Sequence, residues 1–128
     1  MCSFCHETKE SISHLFYGCL HARNIWITIQ EKLKNLCNID VCFNEQTVIF
    51  GCKHAIPVLY RALNLLILLA KRFIYINRCK YILPSTKSLF EYIKCFRYVD
   101  IYSSHSLNIR KENEVKDSWR IISKILVT

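Results

Sequence analysis

Cys2, Cys5, His14 and Cys19 stand near the start of the chain in the spacing C-x2-C-x8-H-x4-C. No other feature of the sequence constrains the local fold as tightly. Three thiolates and an imidazole complete a tetrahedral set, which suits one structural zinc ion, Zn(2+), and leaves no open position for substrate. The Cys2/Cys5 pair can grip a metal from one tight turn. His14 and Cys19 must arrive from a second piece of backbone, so the ion would staple the two together. Metal binding supplies folding free energy that so short a segment cannot gather from apolar burial.

The residues flanking these ligands follow an order of their own. Glu7 and Thr8 come after the Cys pair, then His14-Leu15-Phe16, then Cys19, then Trp26 at the start of an amphipathic stretch. VIFG follows at Val48 to Gly51, and NLLILLAKRFIYINRCKY runs from Asn64 to Tyr81. On these residues, roughly 2 to 98, the chain resembles the zinc-binding domain C-terminal to the reverse transcriptase of LINE-type (non-LTR) retrotransposons. Lys9, Glu10 and Ser11 lengthen the linker relative to the family pattern, and Met1 directly precedes the first ligand. The resemblance implies a detached C-terminal piece of a longer polyprotein, and a partner that handles RNA and DNA.

Fold class follows from composition and period. Two Gly and two Pro in 128 residues argue for helices joined by short connections. A hydrophobic content of 52% is ample for one core. The expected fold is all-α: a small N-terminal zinc knuckle followed by a bundle of about four helices. Residues 1–36 should form the knuckle and first amphipathic helix, and residues 37–128 a basic helical body, in one compact unit.

Local signals place the elements. Ser11 is an expected N-cap for a turn through Tyr17, closed by Gly18 in the left-handed conformation. Ala22, Ile25, Trp26, Ile29, Leu33 and Leu36 recur at helical spacing, so a helix from Leu20 to Asn35 should bury that face. Asn44 should cap a short helix that ends at Gly51. Pro57 fits the first turn of the longest helix, expected over Val58 to Lys80. That helix is apolar nearly all round from Ala62 to Ala70 and should lie at the centre. After Leu83-Pro84, Ser85 or Thr86 should cap a helix from Lys87 to Tyr102, with Leu89, Tyr92, Ile93, Phe96 and Val99 inward. Ser103 to Asn113 reads as loop, and Glu114 to Leu126 as a last helix burying Val115, Trp119, Ile122 and Leu126.

Charge is unevenly placed. Residues 1 to 56 hold five basic and five acidic side chains, and residues 57 to 128 hold thirteen basic and five acidic. The whole excess of +8 therefore lies downstream of the ligand set. Lys71, Arg72, Arg78, Lys87, Lys94 and Arg97 are the candidate nucleic-acid-binding residues, because a basic stripe is the footprint of phosphate binding. Tyr75, Tyr81 and Tyr98 lie among them and could stack on unpaired bases. Single-stranded RNA is the more expected ligand and DNA the less. The alternative is a solvated helix face.

Other classes fare poorly. The carboxylates are scattered, so paired-metal chemistry lacks its ligands. No Gly-rich phosphate loop or Ser–His–Asp set occurs. Tyr98-Val99-Asp100 lacks the second Asp of a polymerase motif. No enzymatic activity is expected, and no small-molecule substrate. The uncharged run Ala62 to Ala70 is too short to span a membrane, which needs about twenty apolar residues. The remaining cysteines, Cys37, Cys42, Cys52, Cys79 and Cys95, read as small apolar residues. A second metal set from Cys37, Cys42, Cys52 and His54 matches no established spacing. No signal peptide is expected, which implies an intracellular protein. Three readings remain: a zinc-stabilised nucleic-acid-binding accessory module; a structural module packing on a reverse transcriptase domain; a retrotransposon remnant without function.

Overall fold

A computed structural model describes residues 1–53 and 55–126. All its regular structure among these residues is helical. A single π turn, His14–Gly18, precedes α1 (Leu20–Cys37), α2 (Glu45–Phe50), α3 (Pro57–Lys80), α4 (Thr86–Ser104) and α5 (Ile109–Leu126). The four long helices form the bundle expected from the sequence, with α2 as a short brace.

Each helix starts and stops for an identifiable reason. The Asn44 side chain accepts the Thr47 N–H at 2.8 Å, and Gly51, at φ +97°, closes α2. A Cβ at Gly51 would also meet Asn64 Oδ1 at 2.8 Å, so the position excludes larger residues on two counts. Pro57 opens α3 as expected, and Tyr81 ends it in the left-handed conformation. Ser85 caps α4 by accepting the Ser88 N–H at 3.2 Å.

Three boundaries and two faces depart from expectation. α1 continues to Cys37, and Asn38 at φ +56° forms its C-cap. Leu36 is exposed, because the buried row Ala22, Ile29, Leu33 continues to Cys37, which lies over the Ile121 carbonyl of α5. α4 runs to Ser104, and α5 begins at Ile109, where a loop was expected. Between Ile109 and Val115 its first turns hold only polar side chains, Arg110 to Glu114, and so carry no apolar period. They are held by Asn108, which accepts the Lys111 N–H at 2.9 Å, and by the Arg110–Glu114 and Glu112–Lys116 pairs. Val99 is exposed rather than inward.

α3 carries the longest buried row, from Ala62 to Asn77. The helix packed most extensively on the other three long ones, however, is α5, which lies against α1, α3 and α4. Trp119, Ile122, Ile125 and Leu126 fill the space between them. Trp119 Nε1–H donates to Asp100 Oδ2 at 2.7 Å, which satisfies the one polar atom of a buried indole. α3 and α4 form an antiparallel hairpin, since Phe73 packs on Tyr92 with tilted rings while Arg61 and Asp100, farther from the connection, line one groove. Among the described residues no helix is long and apolar enough to cross a membrane.

Candidate functional site

The ligand set is assembled by two turns. In the first, the His6 N–H bonds the Cys2 carbonyl at 3.0 Å, and His6 itself sits at φ +57°. The left-handed residue swings the chain back after Cys5, so both thiols point to one side. The Cys2 N–H bonds the Thr8 carbonyl at 2.7 Å and closes the loop. In the second, Ser11 Oγ accepts the His14 N–H at 3.1 Å, as expected of an N-cap. The Cys19 N–H then reaches back five residues to the His14 carbonyl at 2.7 Å. That widened π turn places His14 and Cys19 on one side, which a regular helical turn would not. Gly18 is not left-handed, contrary to expectation. Its role is space: a Cβ there would stand 3.3 Å from His14 Nδ1.

The four ligand atoms all lie within 4.8 Å of one another. Cys2 Sγ and Cys19 Sγ are 3.9 Å apart, and Cys5 Sγ is 3.4 Å from His14 Nε2. Around a tetrahedral ion with metal–ligand bonds of about 2.0–2.3 Å, the ligand–ligand edges are about 3.3–3.8 Å. The donors are thus spaced for one ion, and this is the only such cluster among the described residues. Cys37, Cys42 and Cys52 do not gather, and His54 lies outside the described residues.

The thiols are electrostatically unequal. The Glu7 backbone N–H, then His14 and the Thr8 backbone, lower the Cys5 thiol to about 6. Burial pushes Cys19 up to about 11, and the neighbouring Cys2 and Cys5 reinforce this. Negative charge therefore settles first on Cys5, and a metal must displace the Cys19 proton. The Phe4 N–H points at Cys2 Sγ at 3.4 Å, a further donor for a thiolate.

The knuckle is joined to the bundle at named points. Phe4 and Leu15 are buried with Ala22, Ile25 and Trp26 in one continuous core. Trp26 Nε1–H donates to the Phe16 carbonyl at 2.6 Å, pinning the π turn to α1. Arg78 of α3 bonds Glu10 through Nη2 at 2.7 Å and Nε at 3.3 Å, so it ties the ligand loop to the hairpin. This fork holds the Glu10 carboxyl below its ordinary range. Ser13 Oγ also bonds the Glu45 carboxylate of α2.

The six basic candidates separate into two groups. Lys71 and Arg78 are engaged in contacts between elements: Arg78 holds Glu10, Lys71 Nζ donates to the Ile49 carbonyl at 3.2 Å, and burial lowers the Lys71 pKa. Arg72 and Lys87 are exposed, and Lys94 and Arg97 are half-buried on the hairpin. Lys94 pairs with Glu91 at 3.5 Å. Tyr75, Tyr81 and Tyr98 are all exposed. Sequence reasoning missed the partners Glu10 and Ile49, which are remote along the chain. It also missed Tyr102, one helical turn beyond Tyr98 and 80% exposed. Its spacing from Tyr98 was the available signal.

No family model, curated protein or solved structure matches the chain.

Proposed function

We propose that the chain is a zinc-stapled helical accessory module that binds nucleic-acid backbone, RNA in preference to DNA, through the α3–α4 hairpin. The resemblance drawn from the sequence adds the setting: an intracellular protein that works beside a reverse transcriptase domain. The zinc assignment is supported by the donor set, since three thiolates and an imidazole in a tetrahedral array are the chemistry of structural zinc sites. A closed set leaves the ion no substrate position, so its role is to hold the knuckle.

The observation that carries the nucleic-acid reading is where the charge ends up. Residues 1–56, which include the ligand set, carry no net charge, and between Arg61 and Arg97 eight basic residues face the single acid Glu91. Of these, Arg72 on α3 and Lys87 on α4 are exposed, and Lys94 and Arg97 further along α4 are half-exposed. A cationic face beside a neutral anchor suits a division of labour in which the metal region positions the hairpin and the hairpin contacts phosphate.

The test is RNA binding by the zinc-loaded chain across a salt series. Affinity should fall with salt by about 0.7 log units per log unit for each phosphate contact on a single strand. Arg72→Gln, Lys87→Gln and Arg97→Gln combined should lower affinity for all sequences alike and reduce the slope by about 2. Unchanged binding and slope would reject the reading. The second reading, a packing module for a polymerase domain, is favoured by Ile12 and Phe50. Both are exposed around one shallow groove between the knuckle and α2.

A further inference from the structure

We propose that the outer face of the C-terminal half of α4 is a base-stacking subsite, with Tyr98 and Tyr102 as platforms for unpaired bases of a single strand. The proposal deepens the nucleic-acid reading above and rests on it.

α4 has already used its other aromatic residues. Phe90 is buried, Tyr92 packs on Phe73 at 5.7 Å and Phe96 on Trp119 at 6.3 Å. The opposite face should be polar, and in the first half it is, with Lys87, Ser88 and Glu91. In the second half it presents Tyr98 at 76% exposure, Val99 at 63% and Tyr102 at 80%. A shallow groove of about 710 Å³ runs along these residues, with Arg97, Ile101 and His105 completing its walls. Among the described residues, Tyr98, Val99 and Tyr102 take no part in the core.

The arrangement is built rather than loose. The Tyr102 ring stands edge-on to the His105 ring, with centroids 6.3 Å apart. His105 Nδ1 is held by Glu112 Oε1 at 2.9 Å, and Glu112 is held in turn by Lys116 at 2.9 Å. α5 therefore fixes one platform in advance, which lowers the ordering cost of binding. Tyr98 and Tyr102 project from the same face about 6 Å apart along the axis. Stacked bases follow one another at about 3.4 Å, so the pair can serve successive bases of an unwound strand.

Charge and side-chain type select the occupant. The platform continues the hairpin with the +7 stretch from Arg61 to Arg97, and Arg97 lies in its wall. A polyanion is drawn to that face, whereas an apolar peptide gains nothing from the field. The exposed rings are tyrosines, whose π faces accept any base. A duplex keeps its bases stacked internally and cannot use them, so the ligand is single-stranded.

The experiment measures binding of the zinc-loaded chain to a fluorescent oligoadenylate strand, free and annealed to oligouridylate. Tyr98→Leu with Tyr102→Leu should weaken single-strand binding by roughly 5- to 150-fold per stacked ring. The salt slope and the duplex affinity should not change, and Tyr98→Phe with Tyr102→Phe should bind like the parent. Both positions are exposed, so the variants should fold. If the Leu pair binds as the parent does while the salt slope persists, the stacking subsite is overturned and the phosphate reading stands. If the parent binds neither strand nor duplex, both fall. If, in that case, the chain self-associates and the Leu pair does so equally, the face is an apolar protein contact.

Discussion

The ligand segment, residues 1–19, and the helical body, residues 20–126, are stabilised by different means. The segment buries only Cys2, Phe4, Leu15 and Cys19, and its order depends on four side chains meeting at one point. The body is held by rows of aliphatic and aromatic side chains on four helices. Exchanging one atom, sulfur for oxygen, should matter most in the segment. Volume and polarity should matter most in the body. The two are linked by Trp26–Phe16 and Arg78–Glu10 and share a core through Phe4 and Leu15, but most of the apolar burial lies in the helices, so the body should outlast loss of order in the segment.

The largest effect should come from the body. Leu66 is fully buried on α3, and Leu66→Asp would bury an unpaired charge. It should cost at least about 4 kcal/mol, a large part of a domain's stability, and lower the thermal unfolding midpoint steeply by circular dichroism. Leu68, on the same helix but exposed, is the control: Leu68→Asp should shift stability by about 0.5 kcal/mol or less. If both behave alike, the burial of α3 is wrong.

Removing the metal should have a smaller and local effect. Cys5→Ser, or chelation, should release the ion and expose the amides of residues 1–19 to hydrogen exchange. The helical signal of α1, α3, α4 and α5 should largely persist. Acid should act in the same direction as chelation. Binding must displace the Cys19 proton, which burial holds up to about 11, so affinity should fall by at least about tenfold per pH unit between roughly pH 8 and 6. Competition with a chelator across that range measures it. Retention of metal by Cys5→Ser would break the comparison.

The smallest effect concerns the link between the regions. Glu10 and Arg78 are partly exposed, so solvent screens the fork and its contribution to stability should be small. Arg78 lowers the Glu10 pKa, so this contribution is present above the unfolded carboxyl value of about 4.3 and lost as pH falls through the lower folded value. The stability difference between the parent and Arg78→Gln, from denaturant titrations, should therefore shrink below about pH 4. A difference that stays constant to pH 2 would assign Arg78 another role.

Much of this molecule is legible residue by residue. The ligand set, the all-helical class, the caps at Asn44 and Ser85, Pro57 at the head of α3 and Gly51 behind α2 all depend on near neighbours. A cap bonds a backbone group three residues away, and an apolar period repeats every three or four. The start of α5 was hidden because the run Arg110 to Glu114 is polar throughout and shows no apolar period. Leu36 and Val99 follow the apolar spacing of their helices yet lie outside, because the packed stripe passes to one side of them, through Cys37 on α1 and through Asp100 and Ser104 on α4. The sequence alone could not tell that Arg78 and Lys71 are engaged while Arg72 and Lys87 are free. A charge at helical spacing looks the same in either case. Whether it meets water, Glu10 from the ligand loop or the Ile49 carbonyl from α2 depends on elements tens of residues away, and only tertiary packing brings them within hydrogen-bonding distance.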